Sequence, residues 1–233
     1  MPRPLTLALA GLCVLAAGCG SSGDHDSHTS GAPTGPPLVV EPALPGLLLS
    51  PAEIDTAVGA TDLAVTGDAK DMSDSGASVS RQECLAIFSP GQARAYVNSG
   101  WSAFRSQQLS DPQRSRWVDQ SVVLFPTAEQ AAVFFTASST NWRKCDGSFA
   151  NILSGGRETY DVGPIAETNG VLSTTIRAHL EVYDNPSAGH DATNQRVLRV
   201  RNNVAIDVGA GGAPDEPGAA KVAEQIAAKV PNG

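Results

Sequence analysis

The stretch QSVVLFPTAEQAAVFFTASSTNWRKC, residues 120–145, contains a strand pattern, a break and a helix pattern in immediate succession. β-Branched residues dominate its start and favour a strand over residues 117–125. Pro126 ends this strand, and apolar residues then recur every three or four positions, which predicts a helix from about Thr127 to Trp142 with one buried face. Cys145 follows directly, so a bond to this cysteine would fix the end of the helix.

Strand patterns dominate the remainder of the chain. Further strands are expected over residues 101–109, 171–183 and 196–208. The Asn169-Gly170 pair precedes the second of these and is a strong hairpin signal, because both residues tolerate the positive φ of a tight turn. Ser50 and Glu53 have the spacing of a capping box at the start of a helix, and residues 218–230 have the pattern of a closing amphipathic helix. Helices beside antiparallel strands predict an α+β domain.

The first nineteen residues have the pattern of a lipoprotein signal. Arg3 supplies positive charge, an apolar run of about thirteen residues follows, and LAAGC at residues 15–19 places small side chains before a cysteine. The run is too short to span a bilayer, which takes roughly 20 residues. We predict a signal peptide over residues 1–18 and a lipid anchor on Cys19 that holds the protein on the extracytoplasmic side of the cell membrane. An ordinary secretory signal and an uncleaved anchor are the alternatives.

Residues 19–46 are predicted to be the lipidated cysteine and a flexible tether, because they are rich in Gly, Ser and Pro and have no apolar periodicity. The histidines at residues 24–28 (DHDSH) could bind a divalent metal weakly, but histidines in a flexible acidic segment are ordinarily solvated. We therefore predict no metal site. One folded domain is expected over residues 47–233.

The mature chain is acidic. Removing residues 1–18 takes away only Arg3, so 15 of the 16 Lys and Arg side chains remain beside 24 Asp and Glu, a formal charge of −9. General nucleic-acid binding depends on cationic contacts to phosphate, so this balance argues against it. The carboxylates are scattered along the chain, which favours simple solubility over a dedicated acidic binding surface.

Cysteine usage is consistent with an exported protein. Cys13 leaves with the signal and Cys19 is lipidated, so only Cys84 and Cys145 remain in the predicted domain. Two cysteines in an oxidising compartment are most simply one disulfide. A metal or nucleophilic cysteine site would need polar neighbours that the sequence does not supply.

Several segments resemble, in order and spacing, the PknH-like extracellular sensor domain of mycobacterial receptor-type serine/threonine kinases and of stand-alone lipoproteins. Besides residues 120–145 they are LLLSPAEIDTAVGAT (47–61), RQECLAIF (81–88), GWSAFRSQQLSD (100–111), TNGVLSTTI (168–176), NQRVLRVRNNVAIDV (194–208) and AEQIAAKV (223–230). The resemblance implies an antiparallel twisted sheet flanked by helices, with a cleft. It also implies a non-catalytic domain that recognises an unknown small-molecule or envelope ligand. It covers no kinase domain, so it does not imply phosphoryl transfer.

The chain departs from the family pattern at one pair of positions. The resemblance implies a second disulfide, between a cysteine just before the QR of the penultimate strand segment and one in an ACG that follows. The corresponding residues here are Asn194 and Gly211. We predict that the loop 185–194 and the segment 209–218 are looser than in the family. Hydrogen-exchange protection equal to that of the central strands would contradict this.

No catalytic motif is present: the sequence has no G-x-S-x-G, S-x-x-K, H-E-x-x-H or P-loop pattern. His179 and His190 are the histidines of the predicted domain. Either could serve as a base, and His190 has Asp184 and Asp191 nearby, but no serine has the context of a nucleophile. We predict no catalytic residue and no cofactor. The alternative is a cell-envelope hydrolase or transferase without a recognisable motif, which would show a Ser or Asp hydrogen-bonded to a histidine inside a cleft.

The late strands contain a candidate binding surface. Alternation places Arg199 and Arg201 on one face of their strand, and Arg177 and His179 on one face of theirs. If the strands are neighbours with these faces aligned, the four side chains form an anion-attracting patch; a solvated face with cross-strand ion pairs is the alternative. Three aromatic residues could line an apolar cleft or belong to the core: Trp101, Phe104 and Trp117.

Overall fold

The computed structural model describes residues 36–212 and 218–232, which contain a nine-stranded antiparallel sheet. The strands are β1 (Ala64–Ala69), β2 (Ala103–Ser110), β3 (Trp117–Leu124), β4 (Ser148–Leu153), β5 (Gly156–Val162), β6 (Ala166–Thr168), β7 (Val171–Val182), β8 (His190–Arg201) and β9 (Val204–Gly211). The spatial order is β1-β2-β3-β9-β8-β7-β5-β4, and β6 pairs with β7. The helices are α1 (Leu44–Leu47), α2 (Pro51–Val58), α3 (Leu85–Phe88), α4 (Ala128–Trp142) and α5 (Ala219–Lys229). The predicted α+β class is confirmed.

The helix boundaries follow from local capping chemistry. The Ser50 side chain accepts a hydrogen bond from the Glu53 amide, and the Glu53 carboxylate accepts one from the Ser50 amide at 2.7 Å, which is the predicted capping box of α2. The hydrogen bond that the Ser50 amide donates to Glu53 has the largest effect on this carboxylate, followed by the bond from the Ser50 hydroxyl. Together they lower the pKa of Glu53 to about 2. Thr127 caps α4 through the Gln130 amide at 3.1 Å.

The buried face of α4 and the disulfide are as predicted. Ala131, Phe134 and Trp142 are buried on this helix. Cys84 and Cys145 form a disulfide with their Cα atoms 4.9 Å apart, and so join the end of α4 to the short helical segment that leads into α3.

Two helices cover opposite faces of the sheet. On the α5 face, α5 packs on β8 and β9 and buries Val222 and Ile226 against a set of alternating strand residues. On the α4 face, α4 and the 82–96 segment bury Phe134, Trp142 and the disulfide. The strand residues of the α5 face include Val122, Val197, Ile206 and Val208, and those of the α4 face include Val123, Leu172, Leu198 and Ala205.

The strand predicted over residues 196–208 is wrong in one respect, because it is two strands of a hairpin. β8 and β9 pair from Arg201↔Val204 outward, and the Asn202-Asn203 pair forms the turn, with Asn202 at φ 50°. Asparagine tolerates this left-handed conformation, so the pair acts as Asn-Gly does before β7. Strands β1, β4, β5 and β6 were not expected from the sequence, and residues 190–194, predicted to be loop, begin β8. β1 is an edge strand whose side chains do not alternate between buried and exposed, so it has no strand pattern in the sequence. β4 and β5 are joined by a turn of only two residues.

The folded part extends further towards the N terminus than the predicted boundary at residue 47. Val39 and Leu44 are buried, and Asn203 exchanges two hydrogen bonds with the backbone of Val39. The apolar side chains of this segment complete the core of the α5 face. The Gly, Ser and Pro content of the segment had led to its prediction as part of the flexible tether. The predicted signal peptide (1–18), the Cys19 anchor and the histidines at 24–28 lie outside the described residues. No helix among the described residues has the length and apolar character needed to cross a membrane.

Candidate functional site

A cleft of about 1060 Å³ lies between the β2–β3 turn and one end of strands β5, β7 and β8. The β2–β3 turn contributes Arg114 and Ser115, and Trp117 begins β3 below it. The other side is formed by residues of β5, β7 and β8. Those that bear polar or aromatic side chains are Glu158, Tyr160, Asp161, Arg177, His179, His190, Asp191, Thr193 and Asn194.

The β2–β3 turn is ordered by one carboxylate. Asp111 accepts hydrogen bonds from the Ser115 amide and hydroxyl, at 2.7 and 2.5 Å, and from the Arg116 amide at 3.1 Å. The Ser115 hydroxyl is the main reason that the pKa of Asp111 lies below its usual value. The tight turn places Arg114 at φ 56°, at the rim of the cleft.

The floor of the cleft is built around two glycines. Trp117 pairs with Gly211 across β3 and β9, and Gly211 pairs with Asn194 across β9 and β8. A Cβ atom at residue 211 would lie 2.5 Å from Nε1 of Trp117 and would collide with the Asn194 side-chain oxygen. A Cβ atom at Gly209 would lie 3.2 Å from the same indole ring. The missing side chains therefore let the indole lie over β9.

Asn194 is the least satisfied polar group of the floor. The residue is 8% exposed, and its side-chain oxygen has no hydrogen-bond partner within the described part of the chain. A buried acceptor without a donor destabilises the fold.

The far wall carries a fixed carboxylate. The Glu158 carboxylate accepts from the Tyr160 hydroxyl at 2.6 Å and from the Asn151 amide at 3.0 Å, both on Oε2. Burial, followed by the bond to Glu158, raises the pKa of Tyr160, so its phenol stays protonated. The ring stacks on Phe149 with centroids 4.9 Å apart, which holds the hydroxyl in place.

The candidate cationic residues are placed in two groups. Arg177 and His179 line the cleft, and His179 Nδ1 lies 2.6 Å from the Asp191 carboxylate in a largely exposed pair. Arg199 and Arg201 share the same sheet face, but Arg177 pairs with Thr193 whereas Arg199 pairs with Val171. Six residues of extended strand separate the two groups by about 20 Å. The four side chains therefore do not form one patch.

The three candidate aromatic residues also separate. Trp101 precedes β2, is 37% exposed and does not line the cleft, and Phe104 is buried in the core of the α4 face. Trp117 alone of the three lies in the cleft. Sequence reasoning missed three residues of the cleft, Glu158, Tyr160 and Asn194. The pairing of β5, β7 and β8 brings them together, and the sequence does not reveal which residues of these strands pair.

The chain is similar to the same protein family in sequence and in structure. The family model for the PknH-like extracellular domain matches residues 39–229. The serine/threonine-protein kinases PknH of Mycobacterium bovis and Mycobacterium tuberculosis are each 29% identical over 201 residues, which is 85% of this chain. The chain spans about a third of the length of these relatives. The crystal structure of the extracellular domain of PknH from Mycobacterium tuberculosis matches with a TM-score of 0.73 and 26% identity, over 84% of this chain and 98% of that chain.

Proposed function

Because this chain belongs to the family of PknH-like extracellular domains, we propose that it is a lipid-anchored envelope protein whose non-catalytic, sensor-like domain binds a ligand in the cleft. The observation that carries the binding part is the cleft itself, which is lined by the partly exposed indole of Trp117 and the carboxylate of Glu158.

The anchor is supported by the sequence and by the disulfide. The LAAGC pattern ends at Cys19, and residues 20–38 separate it from Val39, the first buried residue of the described chain. A chain of this length can reach up to about 70 Å, enough to hold the domain clear of a membrane surface. The Cys84–Cys145 disulfide suits an oxidising compartment outside the cytoplasm.

A hydrolase is the second candidate, because one observation favours it. The His179–Asp191 pair at the cleft is two parts of a triad. Both side chains are mostly exposed, so bulk water surrounds the imidazole, and the hydrogen-bond partner of His179 is a carboxylate and not a nucleophile. The binding function therefore explains more of the site than catalysis does.

The anchor is tested with the full chain and its Cys19→Ala variant, expressed in a bacterium that processes lipoproteins. We expect the wild type to partition into detergent and to carry the mass of a lipid on its N-terminal cysteine, whereas the variant stays in the aqueous phase. Aqueous partitioning of both proteins would contradict the anchor.

Binding is tested by native mass spectrometry of the lipoprotein purified from its own envelope. We expect a small molecule retained at one equivalent by the wild type and by His179→Ala, and lost from Asn194→Leu. Turnover of that molecule, abolished in His179→Ala, would instead establish the hydrolase. Retention of the molecule by Asn194→Leu would place its site outside the cleft.

A further inference from the structure

Three exposed apolar side chains and two arginines lie at the end of the sheet that contains the β8–β9 turn, where the described chain begins. We propose that this turn end of the sheet lies against the anionic phospholipid bilayer that holds the lipid anchor. Its apolar contacts are Leu38, Val40 and Trp101, its cationic contacts are Arg199 and Arg201, and none of these five residues lines the cleft. The inference rests on the anchor in the proposed function and adds an interaction surface to it.

Hydrogen bonds hold the start of the described chain along the turn end. Asn203, in the β8–β9 turn, accepts from the Val39 amide at 2.9 Å and donates to the Val39 carbonyl at 3.0 Å. The chain then reaches β2, where Glu41 lies 3.7 Å from Arg105. This segment therefore crosses from the β8–β9 turn to the start of β2.

The apolar side chains of the turn end face solvent. Val39 is buried, whereas its neighbours Leu38 and Val40 are 47% and 60% exposed. Trp101 is 37% exposed, and the amide of the residue after it donates to the carbonyl of Leu124, at the end of β3 that adjoins the β8–β9 turn. Exposed aliphatic side chains with a tryptophan among them suit the interface of a bilayer, where the indole lies at the level of the headgroups.

Two arginines at the turn end have no partner among the described residues. Arg201 is the last residue of β8, and Arg199 precedes it on the same sheet face by about 7 Å. The Nε atom of each is buried without an acceptor, whereas the Nη atoms reach the surface. Glu41, the carboxylate of the crossing segment, is already paired with Arg105. In an otherwise acidic protein, these two cations match the negative surface potential of a bilayer that contains anionic phospholipid.

The predicted anchor joins the domain at this same end. Residues 20–35 separate Cys19 from Pro36, the first described residue. A flexible chain of this length has an r.m.s. end-to-end distance of about 20–25 Å, which is less than the diameter of the domain, about 40 Å. A lipid on Cys19 therefore keeps the turn end closer to the bilayer than the opposite end. Such tethering also gives the bilayer a high effective concentration, so a small contact is sufficient.

The opposite end of the sheet supplies matched controls. Ile152 of β4 is 51% exposed and pairs with the exposed Arg157 of β5, next to the β4–β5 turn. Trp117 begins β3 at this opposite end, about 23 Å along the strand from the turn end. Trp142 is buried. Trp101 is therefore the tryptophan that reports contact between the turn end and a bilayer.

The inference is tested on the mature lipoprotein in vesicles of equal parts phosphatidylglycerol and phosphatidylcholine, brominated near the headgroup end of the acyl chains. Bromine quenches nearby tryptophans, and we expect it to remove up to about a third of the emission, because Trp101 is one of three tryptophans. Trp101→Phe should abolish the quenching while the protein still floats with the vesicles. Salt at about 1 M should reduce the quenching of the wild type about twofold or more, because it screens the arginines.

Variants at the two ends make the test specific. Val40→Ser, and Arg199→Gln combined with Arg201→Gln, should each reduce the quenching about twofold or more. Ile152→Ser and Arg157→Gln should leave it unchanged. The thermal midpoint of each variant checks its folding, and the salt titration gives a result that needs no variant.

Each negative result has its own meaning. If the lipoprotein floats with the vesicles but Trp101 is not quenched, the membrane contact is wrong and the anchor stands. If the protein does not float, the anchor and the contact are wrong together. An unquenched protein that is a dimer in detergent, dissociated by Val40→Ser, would make the turn end an interface between copies of this chain and overturn the membrane contact. Equal losses of quenching from the control variants would also overturn it.

Discussion

The two faces of the sheet are buried by different means. On the α5 face a long amphipathic helix covers apolar strand residues such as Val197 and Ile206. On the α4 face the sheet also meets the 82–96 segment, which has only short helical turns and one four-residue helix. That face contains a disulfide and a buried ion pair, Arg196 with Asp207.

The buried pair connects this segment to the sheet. Arg196 Nη2 lies 2.6 Å from Asp207, and the guanidinium also donates to the carbonyl oxygens of Ala86 and Ile87. Asp207 in turn accepts from the Tyr96 hydroxyl at 2.9 Å and from the Gly91 amide at 3.1 Å. A regular helix docks by its apolar stripe, whereas an irregular segment exposes backbone polar groups that need partners. The comparison teaches that a charged pair fixes the irregular segment of the α4 face, whereas on the α5 face the helix α5 docks by apolar area and neutral amide bonds from Gln120 and Asn203 fix residues 39–49.

The largest effect is expected from breaking that pair. Arg196→Met leaves the Asp207 carboxylate buried without its cation, and this should reduce the free energy of unfolding by about 3–5 kcal/mol. Chemical denaturation measures the loss. The matched change on the α5 face, Ile226→Val, should cost only about 1 kcal/mol. Equal losses from the two variants would mean that the faces do not differ as described.

Replacing the disulfide comes next. Cys84 and Cys145 enclose a loop with a sequence separation of 61, and the variant with both cysteines changed to Ala should lose about 4 kcal/mol by the chain-entropy account. Limited proteolysis should then cut first within residues 82–96, while hydrogen exchange in α5 changes no more than global unfolding requires. First cleavage on the α5 side would contradict the assignment of the disulfide to the α4 face.

Local signals made much of this fold predictable. The capping box at Ser50, the helix that ends at Trp142 and the disulfide from Cys145 all depend on residues close in sequence or on the small number of cysteines. The buried pair was not predictable. An arginine in an alternating strand is ordinarily read as solvated, and the partner of Arg196 lies across a hairpin whose Asn202-Asn203 turn was read as strand.

The cleft was predictable only in part, for the same reason. Its residues come from four strands and a turn, and sequence alternation fixes the face of a side chain but not its neighbour on the next strand. The positions expected from the family pattern to have lost a disulfide, Asn194 and Gly211, do lie directly opposite each other in the sheet. The looser packing predicted for their surroundings stays a prediction for hydrogen exchange.

The smallest expected effect is on the pH dependence of the free energy of unfolding, which again differs between the two faces. Asp119 is buried on the α4 face, where Gln108 of β2 donates a long hydrogen bond to it at 3.4 Å. Burial raises its pKa to about 7, opposed by the attraction of Arg196 and reinforced by the repulsion of Asp207. Ser121 and Trp117 of β3 and Gly209 of β9 also face it, and none of them carries a compensating charge.

The sign of the pH effect follows from proton binding. Between pH 5 and 8 the unfolded chain has already ionised Asp119, whereas the folded protein still holds its proton at the acidic end, so stability falls as the pH rises. The fall for the wild type should be about 2–3 kcal/mol over this window. Asp119→Asn should remove it, as measured by denaturation at both pH values. Asp111→Asn is the matched control, because the pKa of Asp111 is lowered and its contribution is lost only on stronger acidification. If the free energy of unfolding of Asp119→Asn fell with pH as steeply as that of the wild type, a group other than Asp119 would bind the proton. The α4 face would then be no more sensitive to pH through Asp119 than the apolar α5 face.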